Sequence, residues 1–371
     1  MKTKIAAAIA LSLLAGSTFA APTLYGEIDA SVDYLPEDNA SGTSDKDVVE
    51  LSSNSSYIGI KGDEKLTERL SAVYLAEWSF SADGDSTDWG MRNRYVGLKD
   101  AKLGTVKVGA HDTPLKQLSG VVDTFNNYVA NKADITGIMT GETRLANVLV
   151  YEAPALTLPT GAVKFNALLA TGEDKGIDTS KGAYKAGGRG LGDTWSASLV
   201  YDSPMFVTGV AYDKAVPTKF LGRGFDNASD PEVSVTSLSA AANTLRAIGR
   251  LNLLDNSLAI KALYQTSEVE NAKGNDPDSS FIDEAQGWLV GAEYNFPSAK
   301  AWTVKLQYSA NSTSFKNNAA DDYDADQIMA GVDYAFSKQV KLYGYGGYLT
   351  LEQGNDETKQ PVVGTGLEFK F

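Results

Sequence analysis

The C-terminal run from Gln360 to Phe371 constrains the fold more than any other stretch of the chain. Read with period two, Val363, Thr365, Leu367, Phe369 and Phe371 share one face, and Val362, Gly364, Gly366, Glu368 and Lys370 share the other. An open sheet that stopped on a bare aromatic would leave apolar side chains and backbone groups unpaired. A barrel in lipid can stop there, because its last strand pairs with its first and the apolar face meets hydrocarbon. The expectation is therefore a closed barrel, with the rest of the chain repeating the pattern.

The pattern does repeat. Leu24, Ile28, Ala30, Val32 and Tyr34 oppose Glu27, Asp29, Ser31 and Asp33. Leu70, Ala72, Tyr74, Ala76, Trp78 and Phe80 form another apolar face. Trp302, Val304, Leu306, Tyr308 and Ala310 alternate with Thr303, Lys305, Gln307, Ser309 and Asn311. Ile328, Ala330, Val332, Tyr334 and Phe336 form a fourth such face. Each run is about nine to twelve residues, the length a tilted strand needs to cross a bilayer. Several end on an aromatic ring, which can straddle the lipid boundary.

The connections alternate between short and long. Short turns are read at 62–64, 99–104, 159–161, 202–204, 254–257, 297–298 and 337–338. Long polar loops are read near 35–46, 81–90, 112–143, 172–193, 215–243, 269–284, 316–325 and 352–359. Seven turns and eight loops join sixteen strands. The expected fold class is all-β, a transmembrane antiparallel barrel with short periplasmic turns and long external loops. Met1-Lys-Thr-Lys4, the apolar run Ile5 to Gly16 and the small-x-small site Thr18-Phe-Ala20 read as a cleaved signal peptide over 1–20. Residues 21–371 then form one barrel domain, and the protein is expected in the bacterial outer membrane.

Composition excludes other classes. The chain has no cysteine and a single histidine, so metal clusters and Cys/His catalysis lack partners, and no cofactor is expected. With 33 basic against 47 acidic residues, nucleic acid is an unsuitable partner. Asp322, Asp324 and Asp326 have a calcium-loop spacing but lack the required glycine, because Gln327 follows. Gly187-Gly-Arg-Gly-Leu-Gly192 lacks the strand–helix context of a phosphate loop.

The order of pieces from Ser56 to Pro154 carries a family resemblance. Tyr57-Ile-Gly-Ile-Lys-Gly62, Leu70 to Trp78, Asn93-Arg-Tyr-Val-Gly-Leu-Lys99, Gly104-Thr-Val-Lys-Val-Gly109 and Tyr151-Glu-Ala-Pro154 together resemble the general diffusion porins of proteobacteria. With the signal peptide and Phe371, the resemblance spans essentially the whole chain. It implies a homotrimer of sixteen-stranded barrels in outer-membrane lipid and lipopolysaccharide, each narrowed by a third loop folded into the pore. It also implies that the strand ending in Phe371 is an assembly signal read by the barrel assembly machinery. The expected function is passive diffusion of small hydrophilic solutes and ions. A solute-specific channel is the alternative within the class, and a histidine-dependent outer-membrane esterase or phospholipase the alternative outside it.

Candidate pore residues follow. Val121-Val-Asp-Thr-Phe125 resembles the acidic-x-Phe stretch that porins place at their constriction, which implies a role for Asp123, with Asp134 and Glu142 as further loop acids. Opposite, alternation with Tyr95 outward places Arg92 and Arg94 on the inner wall. Arg92 and Arg144 match family wall arginines, and Arg246 and Arg250 are inward by the same parity. Where related porins carry further basic wall residues, this chain has Glu27 and Tyr57. His111 reads as a wall residue facing the lumen, the wrong side for a lipase acting on lipid. Fewer wall cations and an acidic excess predict cation preference.

Overall fold

The computed structural model describes residues 21–35, 48–87, 89–172, 190–225, 233–234, 236–271 and 277–371. The signal peptide, residue 88 and parts of the first, fourth, fifth and sixth external loops, including the first half of Gly187–Gly192, lie outside the described residues. Alternation dictates strands, and sixteen of them form one antiparallel sheet. They are β1 (Thr23–Leu35), β2 (Val48–Ser53 continuing as Tyr57–Lys65), β3 (Leu70–Ser79), β4 (Gly90–Asp100), β5 (Gly104–Asp112) and β6 (Arg144–Glu152 continuing as Leu156–Leu158). Then follow β7 (Gly161–Ala170), β8 (Thr194–Asp202), β9 (Phe206–Phe220), β10 (Leu238–Leu253) and β11 (Leu258–Asn271). The last are β12 (Ile282–Asn295), β13 (Trp302–Phe315), β14 (Tyr323–Ala335), β15 (Val340–Gln353) and β16 (Asp356–Lys370).

The barrel closes where the sequence requires it. β16 pairs with β1 from Glu27↔Lys370 to Tyr34↔Val363, while β1 pairs on its other edge with β2. The backbone of Phe371 exchanges two hydrogen bonds with Gly26, each 3.1 Å long. A Cβ on Gly26 would come within 2.6 Å of the Phe371 ring, so only glycine lets that terminal ring lie against the outer wall.

Side chains divide as the period-two reading requires. Leu24, Ile28, Val32, Leu306, Ile328 and Leu367 are exposed, while Glu27, Asp29, Ser31 and Asp33 are buried. Apolar outside and polar inside is the inverse of a soluble protein, and it places the hydrophobic gain at the lipid boundary. Aromatic pairs mark strand ends on the short-turn side, among them Trp302–Tyr334 at 4.8 Å and Tyr294–Phe296 at 5.1 Å.

Two features of the sequence reading shift. The first short turn falls at 66–69, because β2 continues to Lys65 and β3 begins at Leu70. The eighth loop contracts to a tight turn around Gly354, whose φ of +65° favours glycine, since Gln353 pairs directly with Asp356. Strands that rise beyond the bilayer have water on both faces, so their sequences lose alternation and read as loops.

The third loop builds an apolar core against the wall, and two smaller clusters lie elsewhere among the described residues, one around Leu145 and Leu168 and one around Phe220 and Ile282. The loop runs from Thr113 to Thr143 inside the barrel. Helix α1 (Pro114–Val122) is capped by Thr113, whose side chain accepts from the Lys116 N–H, with Pro114 in the first turn. Leu115, Leu118 and Val122 share one face of α1 and are buried against the wall. Phe125 and Ile135 continue that core with no exposed surface. The wall is shaped to receive them: a Cβ at Gly331 would come within 2.9 Å of Phe125.

Candidate functional site

The third loop covers one side of the lumen and leaves a passage along the other. On the open side, β3 to β6 supply Ser79, Arg92, Asp112 and Arg144; the loop supplies Lys116, Ser119, Asn126, Asn127 and Asn131. They enclose ≈390 Å³ of polar space. Arg92 pairs with Glu77 and lies over the Tyr57 ring, 4.4 Å from its centre. Arg144 donates to Asn93 at 2.9 Å and pairs with Asp112 at 3.0 Å; Lys116 reaches the same carboxylate at 3.7 Å. The side chains of Arg92, Arg144 and Lys116 remain 23%, 16% and 29% exposed. They are the partly exposed cations of this polar space.

The three loop acids are placed differently. Asp123 turns into the loop, where its oxygens accept from the Ile135 and Phe125 N–H groups and from Gln307 on β13, at 3.0, 3.2 and 3.1 Å. Asp134 is 1% exposed and caps the turn Ile135–Gly137 by accepting from the Thr136 N–H. Burial first, and then the neighbouring Asp123, push its carboxyl up to about 8, against the pull of Arg223. Glu142 is tied by one oxygen to Arg246 and by the other to the Ser119 hydroxyl at 2.9 Å. Asp134 and Glu142 reach the cavity lining, yet their carboxylates serve the loop's own architecture.

Of the four arginines that alternation placed inside, Arg94 is not there. A bulge at the start of β4 sets Ala76 opposite Arg94 but Trp78 opposite Met91. Tyr95 therefore faces inward against His111, and Arg94 faces outward with its guanidinium 5.4 Å from the Trp78 ring centre. The inner-wall reading takes Tyr95 as lipid-facing; Val96 and Leu98, 58% and 50% exposed, set the outward parity from Arg94 onward, and the bulge then lets Arg92 face the lumen. Arg246 is inward but wholly buried. It binds Glu142, donates to the carbonyls of Leu115 and Thr140 at 3.3 and 2.9 Å, and donates to Gln265 at 3.0 Å. Arg250 is half-buried on the same face and donates to Asn252.

His111 faces the lumen, its ring 5.4 Å from that of Tyr95 and its Nδ1 donating to the Asp112 carbonyl. Glu27 is buried 3.6 Å from Lys370. Together with Asp29 and Glu368 it forms an acidic trio, whose charge Lys341 and Lys370 meet at 2.8 Å through Glu368.

Sequence reasoning did not find Asn54. It interrupts β2 after a backbone bond to Asp29, and its amide donates to Ser31 and to the Tyr343 hydroxyl at 2.9 and 2.8 Å. Its carbonyl oxygen accepts from the Ala130 N–H at 2.9 Å. There the third loop takes left-handed φ angles at Asn127, Val129, Ala130 and Asn131. Such angles are costly for a β-branched valine and persist only when the surroundings enforce them. Tyr128 supplies the rest of the clamp by stacking on Tyr343 and Tyr345 at 4.6 and 5.0 Å. The available signal was a break in alternation at Asn54–Ser56.

Comparison with known proteins bears on this geometry. A family model described as Gram-negative porin matches residues 6–354. The chain is 25% identical over 372 residues to the major outer membrane protein P.IB of Neisseria gonorrhoeae, covering 98% of each. It is 27% identical over 421 residues to the major outer membrane protein P.IA of Neisseria meningitidis serogroup A, again covering 98% of each. Among solved structures, an anion-selective porin from Comamonas acidovorans matches with a TM-score of 0.67 at 19% identity, covering 95% of this chain and 99% of that one. OmpF of Salmonella typhi, solved in complex with daunomycin, matches with a TM-score of 0.61 at 16% identity, covering 94% and 97%.

Proposed function

The chain belongs to the Gram-negative porin family, and from that premise we propose how this outer-membrane channel, which is not an enzyme, selects what diffuses through it. Small hydrophilic solutes and ions pass down their gradients through the polar gap between the third loop and the wall of β3 to β6. The observation that carries this reading is the ≈390 Å³ passage lined by charged and amide side chains, with every large apolar side chain of the loop turned away from it. Single-channel recording of the purified protein tests it: stable conductance steps that scale with salt are expected, and a silent bilayer overturns it.

Ion preference is set at this passage and not by the acidic excess of the whole chain. Cation preference was expected from that excess, but surface acids are screened within a Debye length of about 8 Å. At the passage the loop acids are held in internal contacts, while Arg92, Arg144 and Lys116, three cations sharing the two carboxylates of Glu77 and Asp112, stay partly accessible. This supports anion preference, by the field that fixed charges impose on a narrow pore. Reversal potentials across a salt gradient decide the sign; cation preference would overturn this reading.

The working unit is a homotrimer seated in lipid and lipopolysaccharide, delivered by the assembly machinery through the strand ending in Phe371. Arg94 supports the trimer. It lies on the outer face near the middle of the eleven-residue β4, and its Nε is buried without a hydrogen-bond partner among the described residues. An arginine facing lipid at the bilayer centre costs about 2–4 kcal/mol. Contact with another protomer would remove that cost. Arg94→Glu should lower the temperature at which the trimer dissociates on a semi-native gel, and an unchanged temperature would remove Arg94 from the interface.

A further inference from the structure

Beside the passage, on the long-loop side, lies a second cavity of ≈420 Å³ whose chemistry the diffusion reading leaves unused. Four cations line it: Lys116 from α1, Arg144 from β6, Lys219 at the end of β9 and Arg223 just after it. The acid among its lining residues is Glu142, and both of its oxygens are occupied, by Arg246 and by the Ser119 hydroxyl. Hydroxyl groups of Thr136 and Thr218 complete the polar surface.

From this geometry we infer a binding station for a small, doubly charged oxyanion, such as phosphate or a short dicarboxylate, at the external entrance of the passage. The inference rests on the channel reading above and adds a ligand class to it.

Three observations carry the inference. Arg223 is held in place by donation from Nη2 to the Asn131 carbonyl at 3.0 Å and from its N–H to the Gly137 carbonyl at 2.9 Å. Its Nε is nonetheless buried without a hydrogen-bond partner among the described residues, a donor whose desolvation is uncompensated. Lys219 is exposed and has no ion-pair partner among the described residues. Asp134, the acid that acts on Arg223, is turned to the Thr136 N–H, and burial raises its carboxyl toward the neutral form, which weakens its opposition to the guanidinium charge.

Arg223 and Lys219, backed by Arg144 and Lys116 that share the single carboxylate of Asp112, leave the cavity net positive and suit a ligand with two negative charges on oxygen, because a planar guanidinium binds oxyanions through paired hydrogen bonds. Chloride, with one charge and no geometry to match, would pass with little retention. Thr218 strengthens the contrast. Its oxygen already accepts from the Gly141 N–H at 2.8 Å, so its hydrogen is the part left to donate.

The test uses the full-length protein in a planar bilayer with potassium chloride, adding inorganic phosphate or succinate to the long-loop side. Each should produce concentration-dependent block of the chloride current, with half-block at least tenfold below the concentration needed for Lys219→Gln/Arg223→Gln. Lys219→Gln alone, at an exposed position that does not threaten folding, should shift half-block severalfold in the same direction. Block by phosphate alone assigns the station to tetrahedral oxyanions, and block by both assigns it to dianions in general. Equal block in native and variant channels, or no block by either anion, overturns the inference while leaving the channel reading intact. Absence of any conductance in the native protein overturns both.

Discussion

Arg246 and Arg92 face the same lumen by the same alternation, yet they end in opposite conditions. Arg246 lies on the wall that the third loop covers. It has no exposed surface and five hydrogen-bonding contacts that tie the loop to β10 and β11. Arg92 lies on the wall that the loop leaves bare, resting on Tyr57 with 23% of its side chain in water. An inward charge becomes a strut where the loop lies over it and stays open to the lumen where it does not. The covered wall is also taller, with β9 and β10 running fifteen and sixteen residues against ten and nine for β3 and β5. Longer strands give the loop a surface to pack on.

Mutations on the two walls should therefore differ in kind. Arg246→Leu is expected to have the largest effect, because it strands Glu142 without its partner in a buried setting, a change worth about 3–5 kcal/mol. Thermal unfolding should shift down and single-channel traces should become noisy as the loop loosens. Arg246→Met/Glu142→Gln should recover most of the loss, and equal loss in single and double variants would argue that the pair is not the strut. Asn54→Ala ranks next, leaving the Ala130 N–H unpaired beside left-handed residues, at about 1–3 kcal/mol. Current noise at unchanged reversal potential is its signature.

On the bare wall the expected changes are electrical. Arg92→Gln and Arg144→Gln should each reduce the anion-to-cation permeability ratio severalfold, with stability changed by about 1 kcal/mol or less for such partly exposed pairs. A structural loss like that of Arg246→Leu would erase the distinction between the two walls. The smallest effect is a pH response that joins them. Asp134 has its carboxyl raised to about 8 by burial, so in the folded protein it holds its proton from about pH 4 to pH 8. The unfolded chain has already lost that proton in this window, so stability from this group falls as pH rises. Above pH 8 ionisation also places a negative charge near Arg223. Anion preference should decline between pH 7 and 9, and Asp134→Asn should flatten that decline.

Much of this architecture was legible beforehand. The outward faces of β1, β13 and β16 follow directly from Leu24–Tyr34, Trp302–Ala310 and Val363–Phe371, because each strand borders both lipid and lumen. The tops of β15 and β16 were read as a loop because water surrounds them. Arg94 was assigned to the wrong face because the aromatic ring of Tyr95 reads as lipid-facing, whereas Val96 and Leu98 meet the lipid and Tyr95 packs on His111. The roles of Asp123 and Glu142 were hidden for a different reason: their partners, Gln307 and Arg246, come from strands more than a hundred residues away.

Alternation at bilayer length, a closing strand and the rhythm of turns and loops determined by themselves that this chain would be a barrel with water inside. Lipid outside and lumen inside act on every residue of a spanning strand, so a local pattern suffices. Which charges would face a solute was decided only by tertiary structure. That depends on where the third loop lies, and its position results from many weak contacts to distant strands. Burial then ties Arg246 into the scaffold and leaves Arg92 partly exposed to the lumen.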